Sequence, residues 1–335
     1  MVKQRNQAYN IAITAFLIMY TVITIIPFYF LFLNSFIPTE DSTRLHLWIP
    51  AGKAFNMDSM FGNMAVYFNL NITDFKEKMG LKGYIDPNLT MKEMAIEFGI
   101  LEEKIINYLQ PFIRYNGYYA SFKNGFLNAL LASLFVTGSI IPLGGFLSAM
   151  TGSVLARFRK KWHLNIYNVY MLSMIIPGSV IMLPTFLIMT KYLRLYDNYL
   201  ALIFLGIQGG AIPIMIFTSY ISSIPEELKE SVLIDGGSHI GYFFNILLPN
   251  CTTPFAAYVA IMLPTNWNNM LNGILYLKQE HMTLPALVNT MNGTYTTNLQ
   301  AIYAGLFISM VPLLIVFIIF QSLFVKSAML GAVKG

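Results

Sequence analysis

The sequence predicts an all-α, polytopic membrane protein with six transmembrane helices and a small helical insertion between the first two. Three observations predict it. Hydrophobic residues fill 56% of the 335 positions and charged residues only 11%, whereas soluble domains carry about 25% charged residues. The mean hydropathy is +0.58. The charges are also unevenly placed, because ten of the 16 acidic residues fall between 37 and 122.

Charge-free stretches mark the spans. A bilayer core needs about 20 apolar residues in a helix, and an ionised side chain at its centre costs about 2.5–3.5 kcal/mol on insertion scales. Such stretches lie at 10–35, 124–156, 165–190, 198–223, 250–275 and 301–325. The first follows Lys3 and Arg5. It is longer than the apolar core of a signal peptide and lacks a small-residue cleavage site, so it reads as an uncleaved span.

Orientation follows from the basic residues of the short connections. One side would hold Lys3, Arg5, Arg157, Arg159, Lys160, Lys161, Lys229, Lys326 and Lys334. The other would hold Lys191, Arg194 and Lys278. Both termini are therefore expected in the cytoplasm. The single cysteine, Cys251, excludes an internal disulfide.

Residues 37–122 are too polar to span and too long for a plain loop. They are expected to form a small extracytoplasmic insertion. Thr90 and Glu93 have capping-box spacing at a helix start. Gly99 would end that helix, and 101–109 would form a second. The stretch resembles a DNA-binding helix-turn-helix, but Glu93, Glu97, Glu102 and Glu103 outnumber Lys92 and Lys104. Phosphate contacts need the opposite sign, so nucleic acid is excluded as a partner and a helical hairpin is expected.

The loop at 224–249 carries the most information. Pro225 suits the first turn of a helix, and Glu226 and Glu227 favour its dipole. Leu228, Val232 and Leu233 are expected on one face, and Gly236 and Gly237 stop the helix. A second helical segment leads to Pro249 and the next span. A short helix exposed between two spans acts as a lever: a partner that grips it moves both neighbours.

The spacing Glu230-Ser231-Val232, Gly236, Ile246-Leu247-Leu248-Pro249 resembles the EAA loop of ATP-binding-cassette (ABC) importer permeases. Asp235-Gly236-Gly237 resembles its D-G-A form, and Gly241 lies between the two halves. Ser231 and Val232 depart from the usual alanines. Ser153-Val-Leu-Ala-Arg157-Phe158-Arg159, Met174-Ile-Ile-Pro177-Gly178 with Pro184, and Trp267-Asn268-Asn269 resemble further parts of the family pattern. Thr283-Leu284-Pro285 and Gly331-Ala332-Val333-Lys334-Gly335 resemble the carbohydrate branch, of the maltose-permease G-subunit type.

The resemblance implies a permease of the bacterial cytoplasmic membrane, embedded in the lipid bilayer. It also implies a heterodimer with a second permease, two copies of an ABC ATPase and an extracellular or periplasmic sugar-binding protein. Glu230 would meet a basic residue in the ATPase cleft, and 330–335 would reach the ATPase dimer. No cofactor is expected on this chain, because ATP and Mg would sit on the ATPase.

Asn266, Trp267, Asn268 and Asn269 interrupt the fifth span with polar groups. Such groups face the protein interior or a water-filled path, and a ring beside amides suits a sugar. Helix–helix contact is the plainer reading. His163, His239 and His281 lack metal-ligand spacing. There is no G-x-x-x-x-G-K-[ST] run to cradle ATP, no hydrolase triad and no carboxylate relay for proton coupling. The chain is therefore read as a transporter subunit rather than an enzyme. Two alternatives stand beside the sugar permease: a permease for another solute, and a membrane sensor or scaffold that works through 37–122.

Overall fold

The computed structural model describes residues 2–37, 47–48, 57–68, 70–123, 125–157, 161–208, 210–291 and 298–332. Phe158, Arg159, Lys160 and 333–335, with Lys334, lie outside the described residues. So does most of the insertion's first third. Among the described residues all regular structure is helical, apart from an isolated bridge between Met60 and Thr90.

Three helices are long and apolar enough to cross a membrane. They are α1 (Val2–Asn34), α6 (Phe126–Arg157) and α17 (Leu299–Ala332). Most apolar side chains of α1 from Ile13 onward are exposed. A lipid solvent accounts for such a surface, since an isolated helix satisfies its own backbone there.

The other three expected spans are not straight helices. α7 (Lys161–Ser173) and α8 (Gly178–Leu187) meet at 99°. Pro177 stands at the break, and proline disfavours helical geometry in the residue before it. α8 continues through a wide turn at Ile188–Tyr192. α9 (Tyr199–Ile207) and α10 (Ala211–Ser222) meet at 43°, with Gly210 between them at φ 72°. α11 (Glu227–Ile234) is the short helix predicted in the loop.

After α11 come α12 (His239–Tyr242), a wide turn at Phe243–Leu247, and α13 (Leu248–Asn250). The segment His239–Asn250 meets α14 (Thr252–Trp267) at 67°. Pro254 has no N–H for the carbonyl of Asn250 four residues earlier. The Tyr220 hydroxyl donates to that carbonyl instead, at 3.1 Å. The fifth expected span, 250–275, therefore ends at Trp267, and α15 (Met270–Tyr276) follows as a separate helix. α16 (Leu284–Thr290) precedes α17. Counting each bent pair as one span gives up to six crossings.

The chain forms two compact units. The first joins residues 1–126 with 288–308. Its polar part contains α2 (Phe61–Tyr67), α3 (Ile72–Met79), α4 (Met91–Glu97) and α5 (Glu102–Lys123). They close over one core that includes Phe61, Phe75, Met91, Met94, Ile105 and Leu109. Each such side chain contributes about 1.5–3 kcal/mol on burial. The capping box at Thr90 and Glu93 forms as predicted. Burial, with the neighbouring Asp74 carboxylate, pushes the Tyr108 hydroxyl up to about 12.

α5 runs well beyond the predicted 101–109. Its buried stripe continues to Ile113. The start of α17 then covers Gly117, where an added Cβ would stand 2.6 Å from the Gln300 carbonyl oxygen. The Ser121 hydroxyl donates to the Ala301 carbonyl at 3.0 Å.

The second unit joins 127–287 with 309–335. Here glycines of α6 let neighbouring helices approach. Added Cβ atoms would meet the Tyr258 hydroxyl at Gly144, the Phe255 ring at Gly145 and the Phe217 Cβ at Gly152, all within 2.8 Å. Small residues at helix contacts are how membrane helices gain close packing. Ala149, Phe217, Tyr242, Leu247 and Tyr258 form the core there.

Candidate functional site

Two places in the second unit carry the predicted site residues. The first is α11. Pro225 breaks away from α10, and Glu227 and Glu230 occupy the first turn, where the helix dipole favours negative charge. The other end closes as a Schellman cap: Gly236 N–H donates to the Leu233 carbonyl at 3.2 Å, and Gly237 N–H to the Val232 carbonyl at 2.8 Å. Gly236 has φ 80°, a left-handed conformation that glycine adopts without strain. Asp235 is the helix cap.

α11 is anchored on one side only. Val232 packs against the core of Phe217, Ile221 and Leu247. Leu228 and Leu233 do not share that burial and stay more than a third exposed, so the predicted apolar face reduces to Val232. The cause is the helix's length: two turns offer a single residue to the core. Glu230, Ser231 and Asp235 face solvent, and Ile234 is 84% exposed. Beyond the cap, Ser238 accepts the Gly241 N–H at 3.0 Å and starts α12. Ile240 there is 71% exposed. Pro249 is also exposed. The loop thus presents carboxylates beside exposed aliphatic side chains.

Arg157 holds this loop from behind. It is the last residue of α6 and only 9% exposed. Its Nη1 donates to the Ile224 carbonyl at 3.0 Å, and its Nη2 to the Tyr242 hydroxyl at 3.1 Å. Sequence reasoning placed Arg157 among the basic residues of a short connection and missed these bonds. The available signal was an arginine closing a helix of 32 residues.

The second place is a cavity of about 50 Å³, room for one or two waters. Ser133 and Thr137 of α6, Asn266 and Trp267 of α14, Asn269 and Thr283 stand in its lining. Asn266, Trp267 and Asn269 meet there. Asn268 is exposed and outside the lining, because it caps α14 with its N–H on the Pro264 carbonyl. Trp267 is buried, and its indole N–H is taken by the Ser309 carbonyl at 3.0 Å. It forms a wall and holds α17, leaving the amides and hydroxyls as the polar groups of the cavity. Ser133 accepts the Leu284 N–H at 2.7 Å. Ser133, Thr137 and Thr283 escaped the sequence reading, although hydroxyls four residues apart in an apolar helix were a usable signal.

Elsewhere in this unit, Asp197 joins two connections. Its Oδ1 accepts the Lys278 N–H and faces His281 Nδ1, both at 3.0 Å. The Lys278 N–H and then His281 hold the Asp197 carboxyl below the usual carboxylate value. His281 therefore has a structural partner that the sequence did not reveal. Among the described residues no group of three or more His, Cys, Asp and Glu side chains is placed to hold a metal ion.

Residues 141–329, which include α11 and most of the cavity wall, match the family described as "Binding-protein-dependent transport system inner membrane component". This chain belongs to that family. Relatives of this inner-membrane component are named as transport permeases. The arabinooligosaccharides transport system permease protein of Bacillus subtilis (strain 168) is 29% identical over 256 residues, covering 76% of this chain and 88% of the relative. The probable starch degradation products transport system permease protein of Thermoanaerobacterium thermosulfurigenes is 31% identical over 212 residues, covering 62% and 75%. A chain of a bacterial ABC transporter involved in the import of the acidic polysaccharide alginate shares the fold. It superposes with a TM-score of 0.63 at 14% identity, over 94% of this inner-membrane component and 96% of that chain.

Proposed function

We propose that this inner-membrane component is the membrane-spanning permease subunit of an ABC importer for an oligosaccharide, and that α11 is its docking point for a separate ATPase. The observation that carries the reading is α11 itself: a capped helix anchored by Val232, with Glu230, Ser231, Asp235 and Ile234 turned outward. The names of relatives that carry arabinooligosaccharides and starch degradation products support the cargo class.

In this reading Glu230 meets a basic group of the ATPase, and Ile234 and Ile240 fill its apolar surface. ATP binding closes the ATPase dimer, the loop at 224–249 moves with it, and the permease changes from inward-facing to outward-facing. A sugar ring exceeds the 50 Å³ of the cavity, so the path widens during that change. Asn266, Asn269, Ser133, Thr137 and Thr283 then offer hydrogen bonds to sugar hydroxyls. The full assembly contains a second permease subunit, two ATPases and an external sugar-binding protein. The N- and C-termini lie in the cytoplasm, and the helices at 57–123 form an insertion on the opposite side.

ATP-driven uptake of arabinotriose and maltotriose into vesicles containing the full assembly tests this reading. Glu230→Lys is expected to lower uptake at least tenfold while the sugar-binding protein still binds its sugar. Wild-type uptake by that variant would refute the docking role.

A further inference from the structure

One planar side chain joins three stretches of chain here. The Arg157 guanidinium ends α6, contacts Ile224 before α11 and contacts Tyr242 at the end of α12. The stretch of the proposed docking loop that holds α11 is thus tied to the same helix on both sides. A guanidinium suits this task because its donors form a rigid fork, and the side chain is buried with little freedom to swing. Its charge also sits where the last carbonyls of α6 and α10 leave negative helix ends.

The same α6 lines the cavity with Ser133, Thr137 and Ile140. Twenty residues separate Thr137 from Arg157 (157 − 137), about 30 Å of helix at 1.5 Å per residue. One continuous helix therefore carries the clamp at one end and cavity wall toward the other. Other connections of the loop run through the chain itself, from α10 and into α14, and through the Phe146 ring of α6, which packs on Phe243 and Phe244. The clamp adds the polar link from α6 to Ile224 and Tyr242 on either side of α11.

We propose that Arg157 is a positioning residue that transmits movement of the 224–242 loop to α6, so that the cavity wall responds when the ATPase grips α11. This rests on the docking role proposed for α11. It adds a polar path to the apolar packing of Phe146 and Ala149 on the loop and to the two spans joined covalently to it. Removing the guanidinium leaves α11 free to move while the outer half of α6 receives less of that movement.

Hydrogen exchange on the full assembly in lipid discs tests this, with and without a non-hydrolysable ATP analogue, and needs no knowledge of the sugar. In the wild type the analogue is expected to change exchange both in 227–242 and in 127–140. In Arg157→Met the change in 227–242 is expected to persist, and that in 127–140 to shrink at least threefold. Arg157→Lys, which keeps the charge and one donor group, is expected to restore part of it. Tyr242→Phe, which removes one hydroxyl, is expected to halve the response and serves if Arg157→Met does not assemble. An undiminished 127–140 response in Arg157→Met, or in Tyr242→Phe when the first variant does not assemble, overturns the clamp. No response in wild-type 227–242 overturns the docking role instead. In that case the clamp itself is read from whether Arg157→Met speeds exchange of 227–242 without nucleotide, and no acceleration overturns it.

Discussion

Trp267 donates its indole N–H to the main-chain oxygen of Ser309 at 3.0 Å, tying the end of α14 to α17. The residue whose type most suggested a sugar platform is thereby a strut of the cavity. Its ring is buried and its single donor is already used.

Trp267→Phe keeps an aromatic body and deletes the donor. It is expected to cost about 1 kcal/mol of stability, the usual size of one internal hydrogen bond. Trp267→Ala is expected to cost about 3–5 kcal/mol, because a large buried side chain is removed. Thermal unfolding of the assembly in detergent separates the two. Equal loss from both variants would show that the ring packs loosely.

Gly152 lies against α10, where an added Cβ would sit 2.8 Å from the Phe217 Cβ and 3.0 Å from the Thr218 nitrogen. Gly138, on the same helix, meets nothing within 4 Å. Gly152→Ala is expected to destabilise by about 1–3 kcal/mol through overpacking. Gly138→Ala should be neutral or mildly stabilising, since alanine suits a helix interior better. The yield of folded protein and its melting temperature should rank the pair in that order.

Thr90→Ala removes the hydroxyl that accepts the Glu93 N–H and donates to the Glu93 carboxylate, and leaves the Thr90 main-chain N–H bonded to that carboxylate. A cost of about 1 kcal/mol is expected. It should appear as faster amide exchange in 91–97, with the neighbouring core of Phe75 and Leu109 keeping its protection.

Asp197 bridges two connections through the Lys278 N–H and His281. Its carboxyl is held below the ordinary value of 3.8. A carboxylate lowered in the folded state stabilises it above the unfolded value, and that contribution is lost as pH falls through the folded value. The bridge is therefore expected to hold above about pH 4 and to weaken below it. Asp197→Asn should loosen 194–198 and 278–282 at pH 6 and remove the acid-dependent step. Asparagine tolerates the φ of 59° found there, so the backbone is not the cause. Amide exchange at pH 6 and pH 3 measures both effects.

Much of the candidate site was legible before any fold was known. The fixed intervals between Glu230, Gly236 and Pro249 report a helix, its glycine stop and the approach to the next span, all local events set by neighbouring residues. Trp267 with Asn266 and Asn269 was legible because amides in an apolar stretch need a polar surrounding. Asn268 shows the limit of that logic: adjacent residues on a helix end point in different directions, and one of the four became a cap.

The sequence by itself determined the membrane class, the apolar stretches, the capping box at Thr90 and the short exposed helix α11. Each follows from composition or from residues a few positions apart, where solvent transfer and local backbone preferences decide. Only the tertiary structure decided the bends at Pro177, Gly210 and Cys251, the cavity assembled from Ser133, Asn266, Asn269 and Thr283, and the grip of Arg157 on Ile224 and Tyr242. Hydropathy records how apolar a segment is but not its direction in space. A contact across 85 positions of chain, as between Arg157 and Tyr242, exists only once the helices between them have packed.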